Sequence, residues 1–361
     1  MMRAPSGVAI AVRRPDGQLV VKDGPLPARL RHPMWKWPGL RGIGMLYESL
    51  SLGYGALQFS AEQQLTNESE AKKTGVSVTS MLPVLMFPWL LTSPPEMDES
   101  PRESSAKAKA DEPSSGGGRF AMLLSVAFAL GLFMVLPQLL ATGTASLLGV
   151  TLEVGDWRFH ALTGLFKLGV LTTYLVGISQ IPEIRRVFQY HGAEHKTIFA
   201  YEAELAPTVA NARAQSTLHP RCGTTFLITV VIVSVILGSI TTPLLLPNAS
   251  GLSGQIATLA LRISLLPIIA AISYELQRLS ARYCTKGPLR VLLWPGFLFQ
   301  KITTREPVDS QLEVAITAMQ SAFFRQRQGE RAEDAEVVRT FVSFERAIEH
   351  FGDGTTERVT A

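Results

Sequence analysis

Gly223-Thr224-Thr225-Phe226-Leu227-Ile228-Thr229-Val230-Val231-Ile232-Val233-Ser234-Val235-Ile236-Leu237 opens a run without Asp, Glu, Lys or Arg that lasts to Leu261. A helix crossing hydrocarbon needs about 20 apolar residues, since its backbone polar groups must all be satisfied within the segment. This stretch meets that requirement, and it decides the fold. Phe120 through Leu152 is a second uncharged run. The chain is 47% hydrophobic over 361 residues, with a mean hydropathy of +0.19, more apolar than a soluble domain of this length.

Working outward, the pattern predicts four spans, at about Phe120–Leu140, Phe159–Ile181, Thr224–Leu246 and Gln255–Leu276, the last kinked at Pro267. Arg185, Arg186, Lys196, Arg213 and Arg221 lie between spans two and three. Arg278, Arg282, Lys286, Arg290, Lys301 and Arg305 follow span four. By the positive-inside rule the N-terminus, the loop around His191 and the C-terminal tail are all expected in the cytoplasm of a multi-pass bacterial plasma-membrane protein. The net charge of +4 does not point to nucleic acid, because the basic residues flank apolar runs rather than forming one patch. Two cysteines, Cys222 and Cys284, suggest no disulfide framework. No apolar signal-peptide core is expected in the first thirty residues.

The expected fold class is mainly α: a polytopic membrane protein with an N-terminal β-hairpin and C-terminal cytoplasmic amphipathic helices. Residues 1–75 hold the hairpin, Val8 to Val21 around Pro15-Asp16-Gly17, and a helix over Leu40–Phe59, either interfacial or buried, with Glu48 near its middle. Residues 76–118 hold a short apolar segment, Val76–Thr92, interrupted by Pro83 and Pro88, then a linker by composition, Ser93–Gly118. Residues 119–305 form the membrane domain, with the loop at about 182–223 facing the cytoplasm. Residues 306–361 form a tail in which Leu312, Ile316, Met319 and Phe323, and then Val337, Phe341, Phe344 and Ile348, each follow helical spacing.

The chemistry concentrates in His191-Gly192-Ala193-Glu194-His195. On a helix, residues four apart share a face at about 6 Å, so both imidazoles could hold one ion. Glu194 beside them could act as general base or third ligand, in the H-x-x-E-H order of inverzincins. His219-Pro220-Arg221-Cys222 adds H-x-x-C ligand spacing just before span three. Glu202 shares the histidine face to within about 20°, but about 10 Å along the axis separates it from His195. It is expected as a neighbour of the ligands, a ligand of a second ion or an ordinary face residue. Glu275, an acidic residue at the end of span four, is a candidate for a missing ligand, or a carboxylate of the headgroup layer. Lys167 and Arg262 are each expected about seven residues inside their spans from the side opposite the motif, at matching depths. Either they snorkel to the interface, or they clamp an anion such as a lipid phosphate.

These residues carry a resemblance. Met1-Met2-Arg3-Ala4-Pro5, Tyr190 through Ile198, Tyr201-Glu202, His219 through Thr224, Ser273-Tyr274-Glu275 and Thr303 through Pro307 are similar to the YqhQ-like family of bacterial membrane proteins, domain of unknown function 1385. That family is labelled a predicted metal-dependent enzyme, which implies metal dependence but no substrate. The resemblance covers most of Met1 to about Met319. It implies a Gly-rich, glutamate-containing stretch upstream of Met1, and a segment shorter than Lys72–Gly118.

The leading functional expectation is a membrane metal-dependent hydrolase acting on a peptide or lipid-derived substrate. Zn²⁺ suits histidine with cysteine; Mn²⁺ or Fe²⁺ would suit histidine with carboxylates. The alternative is a non-catalytic scaffold or regulator with a structural ion closed by His191, His195, His219 and Cys222. A transporter would place ionisable groups along several spans, and spans one and three hold none.

Overall fold

The computed structural model describes residues 1–5, 7–26, 37, 39–65, 124–150, 152–153, 155–249, 251–284, 287–329 and 336–352. The Val76–Thr92 segment and the Ser93–Gly118 linker lie outside them.

Apolar length sets the membrane part. Three helices are long and apolar enough to cross a bilayer: α2 (Leu124–Leu147, with a π-helical turn at Gly131–Val135), α3 (Trp157–Ile178) and α6 (Gly223–Leu245). Two further helices, α7 (Gly251–Ser264) and α8 (Leu266–Tyr283), bent by 51°, are apolar and long enough together to make a fourth, broken span. The break falls at Leu265, where Pro267 starts the second half, as the sequence suggested. The broken pair does return to the start of α6, because the Gln277 amide donates to the Cys222 carbonyl at 2.9 Å. α3 and α6 cross closely at glycine. A Cβ on Gly164 would stand 2.3 Å from Val235, and one on Gly238 3.0 Å from the His160 ring.

The terminal segments build one module at a single end of the spans. Strands β1 (Met2–Ala4), β2 (Gly7–Arg13), β3 (Leu19–Gly24) and β4 (Val337–Phe341) form an antiparallel sheet in the order β1-β2-β3-β4. The hairpin turns as its sequence requires: Gly17 has φ +88°, and the Gln18 N–H donates to Asp16 Oδ1 at 2.9 Å. β2 and β3 are apolar over most of their length because both sheet faces are covered. Ile10, Val12 and Val20 pack on Phe59 of α1 (Leu40–Leu65), while Ala9 and Leu19 pack on α10 (Asp309–Gln328). α1 is therefore a bridge. Its Gly42 lies against Ala271 and Tyr274 of α8, and Glu48 is buried in an ion pair with Arg3 of β1 at 2.9 Å.

The tail differs from expectation in its second half. Val337–Phe341 is a strand, and only α11 (Phe344–Gly352) is helical. Helical spacing of four apolar residues was outweighed by the open edge of β3, which β4 pairs in register from Leu19↔Phe341 to Asp23↔Val337. Phe344 and Ile348 still face the core. Because β4 joins strands from the N-terminus, both ends of the described chain lie on one side of the spans.

α10 is the centre of the module. Leu312, Ile316, Ala318 and Met319 are buried, shared between the sheet and α4 (Pro182–Glu202). At its end Arg325 donates to Asp23 at 3.1 Å, and Arg339 of β4 bonds the other carboxylate oxygen. Asp23 and Arg325 are both buried, so removing the carboxylate strands a buried charge. Asp23→Ala should lower stability by about 3–5 kcal/mol, seen as a fall in the urea midpoint of the module; a loss below about 1 kcal/mol would show the triad to be marginal.

Candidate metal centre

Helical periodicity puts His191 and His195 on one face of α4, but the backbone around them sets their orientation. His191 Nδ1 donates to the Thr303 carbonyl at 2.9 Å, and His195 Nδ1 to the Thr217 carbonyl. Each bond fixes the tautomer that leaves Nε2 as the free lone pair, the usual support of a ligating imidazole. Cys222 Sγ then lies 3.3 Å from His191 Nε2. Donor atoms of His191, His195 and Cys222 fall within 4.8 Å of one another, close enough to share one ion.

The residues between the histidines explain the motif's spacing. Ala193 is buried against the α10 core. Gly192 is required by the segment following α9 (Trp294–Thr303): a Cβ there would stand 2.2 Å from the Arg305 carbonyl oxygen. That segment is pinned to α4 by the Arg305 N–H donating to the Phe188 carbonyl at 2.9 Å. On the other side, buried Lys196 donates to the Arg213 and Gln215 carbonyls at 2.8 and 2.7 Å and pairs with Glu306 at 2.7 Å. It thus holds the loop bearing Thr217. Gln300 of α9 clamps His219 from both sides, accepting from its N–H and donating to its carbonyl, each at 2.8 Å.

Cys222 is the N-cap of α6, and its sulfur accepts from the Thr224 N–H at 3.4 Å. Burial alone would raise the thiol pKa. Hydrogen bonds from His191 and His195, with their charges, outweigh it and bring the thiol down to about 5. Burial likewise opposes charge on His191, but the bond to Cys222, the thiolate charge, Glu194 and the Thr303 carbonyl push it up to about 9. Without an ion, the pair is thiolate and imidazolium between those values. An ion would take the place of the His191 proton.

The other sequence candidates occupy different places. His219 stands behind His195, ring centroids 5.6 Å apart. Its Nδ1 accepts from the Arg221 N–H at 3.2 Å, and its Nε2 faces Glu202 at 3.5 Å. Burial lowers its pKa. Glu202, the last residue of α4, also pairs with Arg221 at 3.1 Å. Glu275 grips the Arg41 guanidinium with both oxygens and accepts from the Gly39 N–H, tying α1 to α8 rather than joining the three donors. Glu194 is about one-third exposed and accepts from the Met1 amino group at 2.6 Å. Lys167 and Arg262 lie inside the spans, away from the three donors. Sequence reasoning missed Thr217 and Thr303, which act through carbonyls that any residue carries. It took Lys196 only as an orienting charge; nothing in its neighbours signals burial.

Residues 37–325 match the family described as "Protein of unknown function (DUF1385)", and the chain belongs to that family. It is 32% identical over 318 residues to "Uncharacterized protein YqhQ" of Bacillus subtilis (strain 168), across 85% of this chain and 83% of that protein. No solved structure matches.

Two expectations follow. Gly192→Ala overpacks the crossing with Arg305 and should cost about 1–3 kcal/mol, read as a lower thermal midpoint; an unchanged midpoint would mean residues 303–306 do not bear on α4. In metal-free protein, the ultraviolet thiolate signal lost in Cys222→Ser should titrate near pH 5. The thiolate persists above that pH and is protonated below it, whereas an unperturbed thiol titrates near pH 8.5.

Proposed function

We propose that this protein is an integral-membrane, metal-dependent hydrolase acting at the cytoplasmic face of a bacterial plasma membrane, on a peptide or lipid-derived substrate. One observation carries the reading. Two imidazoles, each tethered through Nδ1 to a backbone carbonyl, turn Nε2 toward a thiolate at a helix N-terminus. His191, His195 and Cys222 would hold the ion, and two nitrogens with one sulfur favour Zn²⁺. Such an ion, when bound, supplies Lewis acidity and a more acidic water.

The chain's own residues do the rest. Thr303 and Thr217 keep both rings oriented, and Lys196 and Gln300 hold the loops that present them. Glu194, one residue before His195 and partly exposed, is the proton acceptor in this reading. Three protein donors leave a coordination position for water or substrate. The competing reading, a scaffold or regulator with a closed structural ion, needs a fourth protein donor, and His219 is engaged with Arg221 and Glu202 instead. The site's position one residue before α6 suits a substrate at the membrane surface.

Elemental analysis of the purified full chain should find about one zinc per molecule, lost in His191→Ala/His195→Ala and in Cys222→Ser. Glu194→Gln should keep the metal and lose at least about 100-fold in turnover on any peptide or lipid-ester substrate the wild type hydrolyses. Wild-type protein without stoichiometric metal, or the double variant retaining it, would sink the metal reading. Metal present with no hydrolysis of either class would favour the scaffold.

A further inference from the structure

A second cluster of chemistry lies inside the spans, in the half away from His191, and the hydrolase reading makes no use of it. Arg262 near the end of α7 is 6% exposed. Its guanidinium donates to Gln138 Oε1 of α2 at 3.1 Å and to His160 Nδ1 of α3 at 2.9 Å, and lies 5.8 Å from the Phe159 ring centre. Lys167, halfway along α3, donates to Ser234 of α6 at 3.4 Å and lies within electrostatic reach of Arg262.

Snorkelling does not account for this arrangement. The Arg262 side chain reaches toward the end of the spans, as its direction on a helix dictates, yet it stops buried between α2, α3 and α7 instead of entering water. The charge is also unbalanced. Among the described residues no carboxylate touches either cation, and the one acidic residue within the crossing helices, Glu275, is taken by Arg41. His160 accepts through Nδ1 and is neutral in that role. Two neutral acceptors meet two of the five N–H groups of a guanidinium, which keeps its charge. Net positive charge in a low-dielectric slab draws an anion.

Helix rise locates the cluster along the spans. His160 is three residues, about 4.5 Å, inside the start of α3. Ser234 lies four residues deeper along α6 than Gly238, which packs on His160, so the Lys167 contact is about 6 Å further in. Counted along their own helices, Lys167 and Ser234 both lie about midway, so the cluster runs from near the end of the spans at His160 to near their middle at Lys167.

We propose that Arg262 and Lys167, seated on Gln138, His160 and Ser234, form an anion site in the leaflet opposite the metal centre. Its ligand is a phosphate group, carried by an anionic lipid or free in solution.

The test is retention of phosphatidylglycerol against phosphatidylcholine by the full chain in mixed nanodiscs, counted by native mass spectrometry. Wild type should retain phosphatidylglycerol selectively. Lys167→Gln and Arg262→Gln should each weaken retention at least about tenfold, as expected for a lost charge-assisted hydrogen bond, and Lys167→Arg should preserve it. Should Arg262→Gln fail to fold, Lys167→Gln remains decisive, because Lys167 makes a single bond among the described residues. Inorganic phosphate bound in lipid-free detergent, with the same dependence on both residues, would identify the free anion as the source. Folded variants that match wild type with both probes, or a wild type that binds neither phosphatidylglycerol selectively nor phosphate, would overturn the proposal.

Discussion

Burial of α10 between the sheet and α4 is the contact on which the rest of the structure depends. Ala193 and Ala200 of α4 enter the same core as Leu312, Ile316 and Met319. That packing fixes the rotation of α4 about its axis, and so decides which way His191 and His195 point. The other face of α10 receives strands from the N-terminus, and β4 completes the sheet from the far end of the chain. The orientation of the two histidines, a terminal sheet and a same-side topology are thus consequences of one buried helix.

The three donors are assembled from three separate stretches, each supported by backbone as well as side chains. α4 supplies two imidazoles, the turn into α6 supplies the thiolate, and the segments around Thr217 and Thr303 supply the carbonyls that aim the rings. Burial raises the stakes of this arrangement. A neutral thiol and neutral imidazoles would lose little by leaving water, whereas a thiolate beside an imidazolium gains mutual attraction in a medium that screens poorly. Either that ion pair or a shared metal satisfies the same atoms, so the site is built for compact charge rather than for packing.

The ends of the membrane domain differ in character. Where α6 begins, Gln277 of α8 and Gln300 of α9 bond the backbone of Cys222 and His219, and the Arg41–Glu275 pair ties α8 to α1 of the terminal module. In the other half of the spans, positive groups sit among glutamine, serine and histidine without an acidic partner among the described residues. Close glycine crossings at Gly164 and Gly238 bring α3 and α6 near enough for those polar side chains to meet.

Sequence alone determined the helical membrane class, the four apolar runs, the hairpin and the presence of ligand-type residues near residues 191 to 222. Those features are local: apolar length, turn chemistry and helical spacing need no knowledge of distant neighbours. Helix rise already set Glu202 about 10 Å from His195, but the sequence could not select among Cys222, His219 and Glu275, since all three have suitable chemistry and lie near one end of the spans. Tertiary structure separated them, placing Cys222 against His191, His219 against Glu202, and Glu275 against Arg41. It also turned Val337–Phe341 from a helical pattern into a strand, because pairing with β3 satisfies a whole row of backbone groups that no local propensity can see.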